Sequence, residues 1–328
     1  MSATKPRVVV TDWNFKDLSM ENDLLKSKGI EMVSGQCSTE VELVALVSDA
    51  DAVITQFAKI NGNVIGAMKK ARAIVRYGIG VDNVNLEAAQ SRNIPVCNVP
   101  DYCMDEVADQ TLAFILAMTR QVVQNTLYLR EGNWGLPVPL IAMQSLKNLT
   151  VGVIGFGRIG REVVRRLLAF KCRVLLFDPV VPAAEIAKAG AEPAASLEML
   201  FAQSDIVTPH CPSTAKTRHM FNAGTFALMK LGALLVNVGR GDLVDSNALA
   251  SALQSGRLGG AALDVFDPEP IPANSPILKM PNVILAAHIA SVSPMAMKRL
   301  RETAASIAAL AVQGQPLPNI VNGVISRA

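Results

Sequence analysis

Residues 151–178, VGVIGFGRIGREVVRRLLAFKCRVLLFD, leave the chain few ways to fold. A short apolar run, Val151–Ile154, leads into Gly155-Phe156-Gly157-Arg158-Ile159-Gly160. Ile159, Val163, Val164, Leu167 and Leu168 then recur at the spacing of one helix face. A second apolar run, Val174–Phe177, ends in Asp178. Strand, glycine turn, helix, strand and acid in that order make a dinucleotide-binding unit, and each part has a physical reason. Gly155 permits the tight turn, Gly157 lets the backbone approach a pyrophosphate, and Gly160 lets helix and strand pack closely. Free N–H groups at the helix start meet phosphate oxygens, and the Asp178 carboxylate accepts from the adenosine ribose. That carboxylate repels the extra phosphate of NADP. The residues that follow, Pro179, Val180, Val181 and Pro182, supply no cation to neutralise it. The cofactor read from this segment is therefore NAD.

Length and composition bound the rest. A chain of 328 residues exceeds one ordinary core, so two domains are expected. With 50% hydrophobic and 18% charged residues it suits a well-buried α/β protein and not a disordered one. A net charge of +3 is too small to argue for nucleic acid or a membrane surface. No apolar stretch approaches ~18 residues, and the opening MSATKPRVVV runs into a strand, so neither a membrane span nor a signal peptide is expected. The five cysteines (Cys37, Cys97, Cys103, Cys172, Cys211) lack metal-ligand spacing and read as free thiols in a reducing cytoplasm, with no metal site. Only three histidines, His210, His219 and His288, are available as imidazole catalysts.

Before the glycine motif, strands are expected at Val8–Thr11, Ala52–Ile54, Ala73–Tyr77 and Pro95–Cys97, alternating with helices near 21–28, 40–48, 61–69 and 85–91. That alternation implies a parallel sheet of its own. One long helix is expected from about Asp105 to Arg130, then an arm containing Trp134. Further strands follow at Ile206–Thr208, Leu234–Val238, Ala261–Val265 and Val283–Ala286. A last helix starts at Ser293-Pro294 and stops at Gly314. Two α/β layers with a cleft between them place ligands at the carboxyl ends of strands.

Three of those strand ends carry chemistry. Arg240 follows one strand between two glycines, Glu269 lies beyond another, and His288 ends a third. Arginine grips a carboxylate with two parallel hydrogen bonds. Histidine can donate a proton to a carbonyl oxygen as hydride arrives, and a glutamate beside it favours the charged imidazole. The three together suit reduction of a 2-oxo acid.

The chain resembles the D-isomer-specific 2-hydroxyacid dehydrogenase family over essentially its whole length. The matching segments are Arg76-Tyr77-Gly78-Ile79-Gly80-Val81-Asp82-Asn83, Asn98-Val99-Pro100, Glu106–Thr111, GFGRIG, NVGRGDLVD (237–245), GGAALDVFDPEP (259–270) and His288-Ile289-Ala290-Ser291. Cys97–Pro100 and Thr208-Pro209-His210-Cys211 look like the branch of C-terminal-binding proteins and their enzymatic relatives. The resemblance implies a Rossmann-type doubly wound parallel sheet at 100–291, which binds NAD, and a flavodoxin-like α/β substrate domain at 1–99 and 292–328. It implies that Arg240, Glu269 and His288 are catalytic. Arg76, Gly78, Ile79 and Gly80, with Arg240 and His288, would hold the substrate. Arg158 and Ile159 would lie at the pyrophosphate, Cys211 and Pro212 near adenine, and Thr111 near a phosphate. Val238, Arg240, Asp264, His288 and Ser291 would line the nicotinamide half. His210 would belong to the adenine-side loop, and His219 would be structural. A homodimer through the cofactor domain is expected, with the Trp134 arm at its interface.

Departures narrow the substrate. Alanines precede His288 where the family often has Thr-Pro, and Ser291 stands where the corepressor branch has an aromatic. Glu269 argues against formate oxidation, for which the family carries an amide, and no regulatory domain of the long phosphoglycerate type is expected after residue 328. The sequence expectation is a 2-oxo acid reductase. The alternative is a corepressor-like protein that senses NAD(H) with little turnover.

Overall fold

The structure is a computed structural model, and it describes residues 5–325. The chain divides into two compact units, Met1–Tyr102 with Ser293–Ala328, and Cys103–Val292.

The first unit is built on strands β1 (Arg7–Val10), β2 (Glu31–Ser34), β3 (Ala52–Thr55), β4 (Ile74–Arg76) and β5 (Val96–Cys97). They pair in parallel in the order β2-β1-β3-β4-β5, which is the flavodoxin-like order. Helices α1 (Ser19–Ser27), α2 (Glu40–Val47), α3 (Gly62–Ala67) and α4 (Leu86–Ser91) make the crossovers. The four expected strands are present within a residue or two, because each is a short apolar run. β2, absent from the expected strands, lies at the sheet edge with half-exposed residues and lacks the continuous apolar run of a central strand.

The second unit opens with α5 (Met104–Thr119) and α6 (Val122–Arg130). Its strands are β6 (Thr150–Ile154), β7 (Arg173–Phe177), β8 (Glu192–Pro193), β9 (Ile206–Pro209), β10 (Ala233–Asn237), β11 (Leu258–Leu263) and β12 (Val283–Leu285). Between them run α7 (Arg158–Ala169), α8 (Ala183–Lys188), α9 (Leu197–Gln203), α10 (Ala223–Leu228) and α11 (Ser246–Gln254). The order β12-β11-β10-β9-β6-β7-β8 reverses beside β6, so the glycine turn lies at the switch point of a Rossmann-type sheet. Arg166 of α7 ties that helix to α5 by binding Asp105 at 2.7 Å and Asp109 at 2.7 Å, and it also binds Glu162 at 2.9 Å.

The single helix expected from 105 to 130 is in fact two. Gln121 has φ of +52°, and the carbonyls released there find new donors: Gln121 Nε2 serves Met118 and the Gln144 backbone N–H serves Thr119. The second donor comes from a remote segment, so no local glycine or proline announces the break.

The last helix, α12 (Pro294–Val312), belongs to the first unit and packs on α1, β1, β3 and β4. Ser293 caps it by accepting from Ala296 N, as the sequence implies. Alanines 304, 305, 308 and 309 are buried, and so small a face lets helix and sheet approach closely. Arg301 anchors it to α1 by binding both oxygens of the fully buried Glu21, at 2.7 and 2.6 Å. Tyr77 OH completes that carboxylate's shell at 3.1 Å.

Candidate active site

The dinucleotide turn is shaped by two steric constraints. Gly155 has φ of +98°, and a Cβ there would lie 2.8 Å from the His210 carbonyl oxygen. A Cβ on Gly160 would lie 2.2 Å from Gly155 O, so this glycine admits the turn itself as well as the strand. In front of Gly157 the space is open. α7 starts at the next residue, with Gly157 and Arg158 exposed and Ile159 half-buried. An unencumbered helix N-terminus of this kind suits a pyrophosphate.

Asp178 closes the turn. Its carboxylate accepts from Phe156 N at 2.7 Å, Val180 N at 2.8 Å and Val181 N at 3.0 Å. Burial works to raise its pKa, but these three bonds and the charge of Arg161 hold it below the usual aspartate value. An ionised carboxylate has about four acceptor sites, so it can still take a ribose hydroxyl. The residues therefore fit a dinucleotide. One expectation is corrected here: a cation does stand near Asp178. Arg161 comes from α7, with its guanidinium 4.1 Å over the Phe156 ring and bound to Glu185 at 2.6 Å.

Arg240, Glu269 and His288 are held by the ends of β10, β11 and β12. Asn237 folds the first loop back on itself, donating to Arg240 O at 2.8 Å and accepting from Gly239 N at 3.0 Å. Gly241 presses this loop against the next, since a Cβ would lie 1.9 Å from Phe266 O. Arg240 is half-buried, and Nη1 donates to Gly239 O at 2.9 Å.

His288 sits at φ of +55°, an uncommon conformation outside glycine that costs on the order of 1–3 kcal/mol. Asp264 enforces it. This residue is fully buried, its carbonyl accepts from His288 N at 2.7 Å, and its carboxylate accepts from Ile289 N and Ala290 N, each at 2.9 Å. Burial pushes the Asp264 carboxyl upward in spite of those two bonds. Asp264, expected beside the cofactor, also braces the histidine turn, a role that no local pattern in the sequence marks.

His288 Nδ1 lies 2.7 Å from Glu269 Oε2, and the other oxygen of Glu269 accepts from Phe266 N at 2.9 Å. The two side chains are 31% and 33% exposed. Burial raises the Glu269 pKa, but the bond and charge of His288, the Phe266 N–H and the charge of Arg240 outweigh it, leaving the carboxyl below its ordinary value. An ionised Glu269 fixes the imidazole by one nitrogen, so Nε2 is the atom positioned to exchange a proton.

Cys211 is half-buried, its thiol pushed up to about 11 by burial, and Pro212 is exposed beyond β9. Ser291 is half-buried and Val238 nearly buried. Thr111 is fully buried, its hydroxyl donating to Val107 O at 2.8 Å inside α5. Burial pushes His210 down to about 4, so it is neutral near pH 7 and a poor proton donor. In the first unit, Arg76 ends β4 and curls over Gly78, where a Cβ would lie 1.5 Å from Nη1. Gly78 N donates to Arg76 O at 2.9 Å, so this N–H is already used; Ile79 and Gly80 follow it half-buried. Among the described residues no cluster of His, Cys, Asp or Glu could hold a metal ion.

Residues 112–290 match the model of the D-isomer specific 2-hydroxyacid dehydrogenase NAD binding domain. The chain is 36% identical to a glyoxylate reductase of Thermofilum pendens over 292 residues, 86% of this chain and 84% of that one. It is 35% identical over 318 residues to a D-3-phosphoglycerate dehydrogenase of Methanocaldococcus jannaschii, which covers 96% of this chain but 59% of the longer relative. Among solved structures, an NADPH-dependent glyoxylate/hydroxypyruvate reductase from Sinorhizobium meliloti, in complex with NADP and malonate, superposes with a TM-score of 0.87 at 27% identity, covering 99% of each chain. With its two parallel sheets and the matched NAD-binding domain, the chain belongs to the D-isomer-specific 2-hydroxyacid dehydrogenase family.

Proposed function

We propose that the protein is an NAD-dependent D-2-hydroxyacid dehydrogenase that works mainly as a 2-oxo acid reductase of the glyoxylate or hydroxypyruvate type. The observation that carries this reading is the 2.7 Å contact of His288 Nδ1 with an ionised Glu269 that also feels the charge of Arg240. The nicotinamide, when bound, supplies the hydride. Arg240 binds and orients the substrate carboxylate. In the first unit, Arg76 and the N–H groups of Ile79 and Gly80 are the residues assigned to substrate binding. His288 Nε2 gives a proton to the carbonyl oxygen in reduction and takes it back in oxidation. Glu269 holds the ring through Nδ1, and Asp264 fixes the backbone turn that carries it. Asp178 takes the ribose; Gly155, Gly157, Arg158, Ile159 and Gly160 take the pyrophosphate; Cys211 and Pro212 flank the adenine. Val238 and Ser291 belong to the nicotinamide half.

The same reading assigns residues 100–291 to the dinucleotide domain and residues 1–99 with 292–328 to the substrate domain. It includes a homodimer, supported by the exposed apolar residues Leu127, Trp134, Leu140 and Ile141 on α6 and the arm beyond it. It also includes a cytoplasmic setting, supported by five free cysteines. No helix among the described residues is long and apolar enough to cross a membrane.

The fold alone does not choose the dinucleotide, since the Sinorhizobium relative is NADPH-dependent. The choice of NAD rests on Asp178. A corepressor-like binding role draws no support from relatives named as reductases and dehydrogenases. A steady-state assay with NADH and a panel of 2-oxo acids tests the activity: turnover on glyoxylate, hydroxypyruvate or a bulkier keto acid supports it. NADH binding without turnover on any of them contradicts it.

A further inference from the structure

The ribose acid has a cation beside it that the order of residues hides. Arg161 follows Gly160 in α7, and its guanidinium lies 4.1 Å over the ring of Phe156. Phe156 stands between the first two glycines of the turn, and its backbone N–H donates to Asp178 at 2.7 Å. The cation is therefore stacked on the same turn that fixes the carboxylate. Its Nη2 reaches Glu185 Oε1 on α8 at 2.6 Å, and the two side chains are 42% and 48% exposed. Past Asp178 the surface is open: Pro179 is exposed and Val180 is 86% exposed. An anion added at the ribose would thus meet Asp178 and find, in reach of solvent, an arginine whose charge is already engaged by Glu185.

We propose that Arg161 is a latent 2′-phosphate-binding residue, and that Asp178 and Glu185 divide the work of rejecting NADP. Asp178 repels the phosphate directly. Glu185 holds the guanidinium that could receive it, in a pair that a phosphate must break. Arginine suits the task because its planar fork matches phosphate oxygens and stays charged at every working pH. The preference for NAD then rests on an acid in α8 as well as the one that ends β7. The proposal depends on the assignment of Asp178 to the adenosine ribose.

Equilibrium titration of NADH and NADPH, followed by nucleotide fluorescence with no oxo acid present, separates the two claims. Asp178→Ser is expected to bind NADPH where the wild type binds chiefly NADH. Adding Glu185→Gln to that variant should tighten NADPH further and leave NADH alone. Adding Arg161→Gln instead should weaken NADPH by about tenfold or more, the loss expected for a charged hydrogen bond. The Arg161→Gln variant should also show a shallower salt dependence for NADPH. Arg161→Lys in the Asp178→Ser background should keep part of the NADPH affinity, and an unchanged circular-dichroism spectrum and Tm in every variant report that the fold is intact. If Asp178→Ser gains NADPH and Arg161→Gln takes none of it away, the role of Arg161 is refuted while that of Asp178 stands. If Asp178→Ser changes neither affinity, the ribose assignment fails and the proposal falls with it.

Discussion

His288 is asked to do two things at once: hold an uncommon backbone conformation and present one nitrogen to a substrate. Asp264 serves the first through three hydrogen bonds, and Glu269 serves the second through one. Because the Glu269 carboxylate holds the ring through Nδ1 at 2.7 Å, Glu269→Gln should lower kcat for reduction by about tenfold or more, the usual loss for a charged hydrogen bond, as read from steady-state kinetics at one pH. A kcat equal to that of the wild type contradicts the pairing. The carboxyl also links to stability. Its folded value lies below the ordinary one, so its contribution is complete above the unfolded range of about pH 4–5 and fades as pH falls through the folded value. Acid titration of thermal stability should therefore be shallower in Glu269→Gln than in the wild type. At this scale the residue types were legible, since few side chains bind a carboxylate or pass a proton. The partners were not: Asp264 as a brace and Arg161 beside Asp178 depend on contacts between segments far apart in the chain.

Elements were legible where local pattern and fold agree. The β6–α7–β7 unit carries its turn chemistry, helix period and closing acid within one stretch, and its described limits lie within a residue of the expected ones. α12 was legible for the same reason, because Ser293 and Pro294 mark its start and Gly314, at φ of +67°, follows its end. Ser293→Ala should lower stability by about 1 kcal/mol, the usual cost of a lost N-cap, seen as a drop in Tm with the fold retained. No change in Tm would show that the cap contributes nothing. The division of α5 from α6 was hidden, because the donor to Thr119 O comes from Gln144. Edge strand β2 and two-residue β8 were hidden because an exposed strand has little apolar signal to read.

The whole molecule joins a flavodoxin-like and a Rossmann-type sheet in one chain, with α12 returning to the first. That plan was implied by strand–helix alternation on both sides of the glycine motif, whereas assembly is written in what the single chain leaves exposed. Trp134 is 91% exposed, and a homodimer that covers it should scatter light at twice the chain mass and shift tryptophan emission to the blue on association. Scattering at one chain mass throughout the micromolar range removes the dimer. The central claim is proton transfer by His288 during reduction of a 2-oxo acid, and single-turnover oxidation of bound NADH by the best acid of the panel tests it most directly. His288→Gln should slow that step by about 10²–10⁴-fold, the range for a lost general acid, while NADH affinity stays near that of the wild type. Single-turnover rates that match the wild type in His288→Gln would contradict the account.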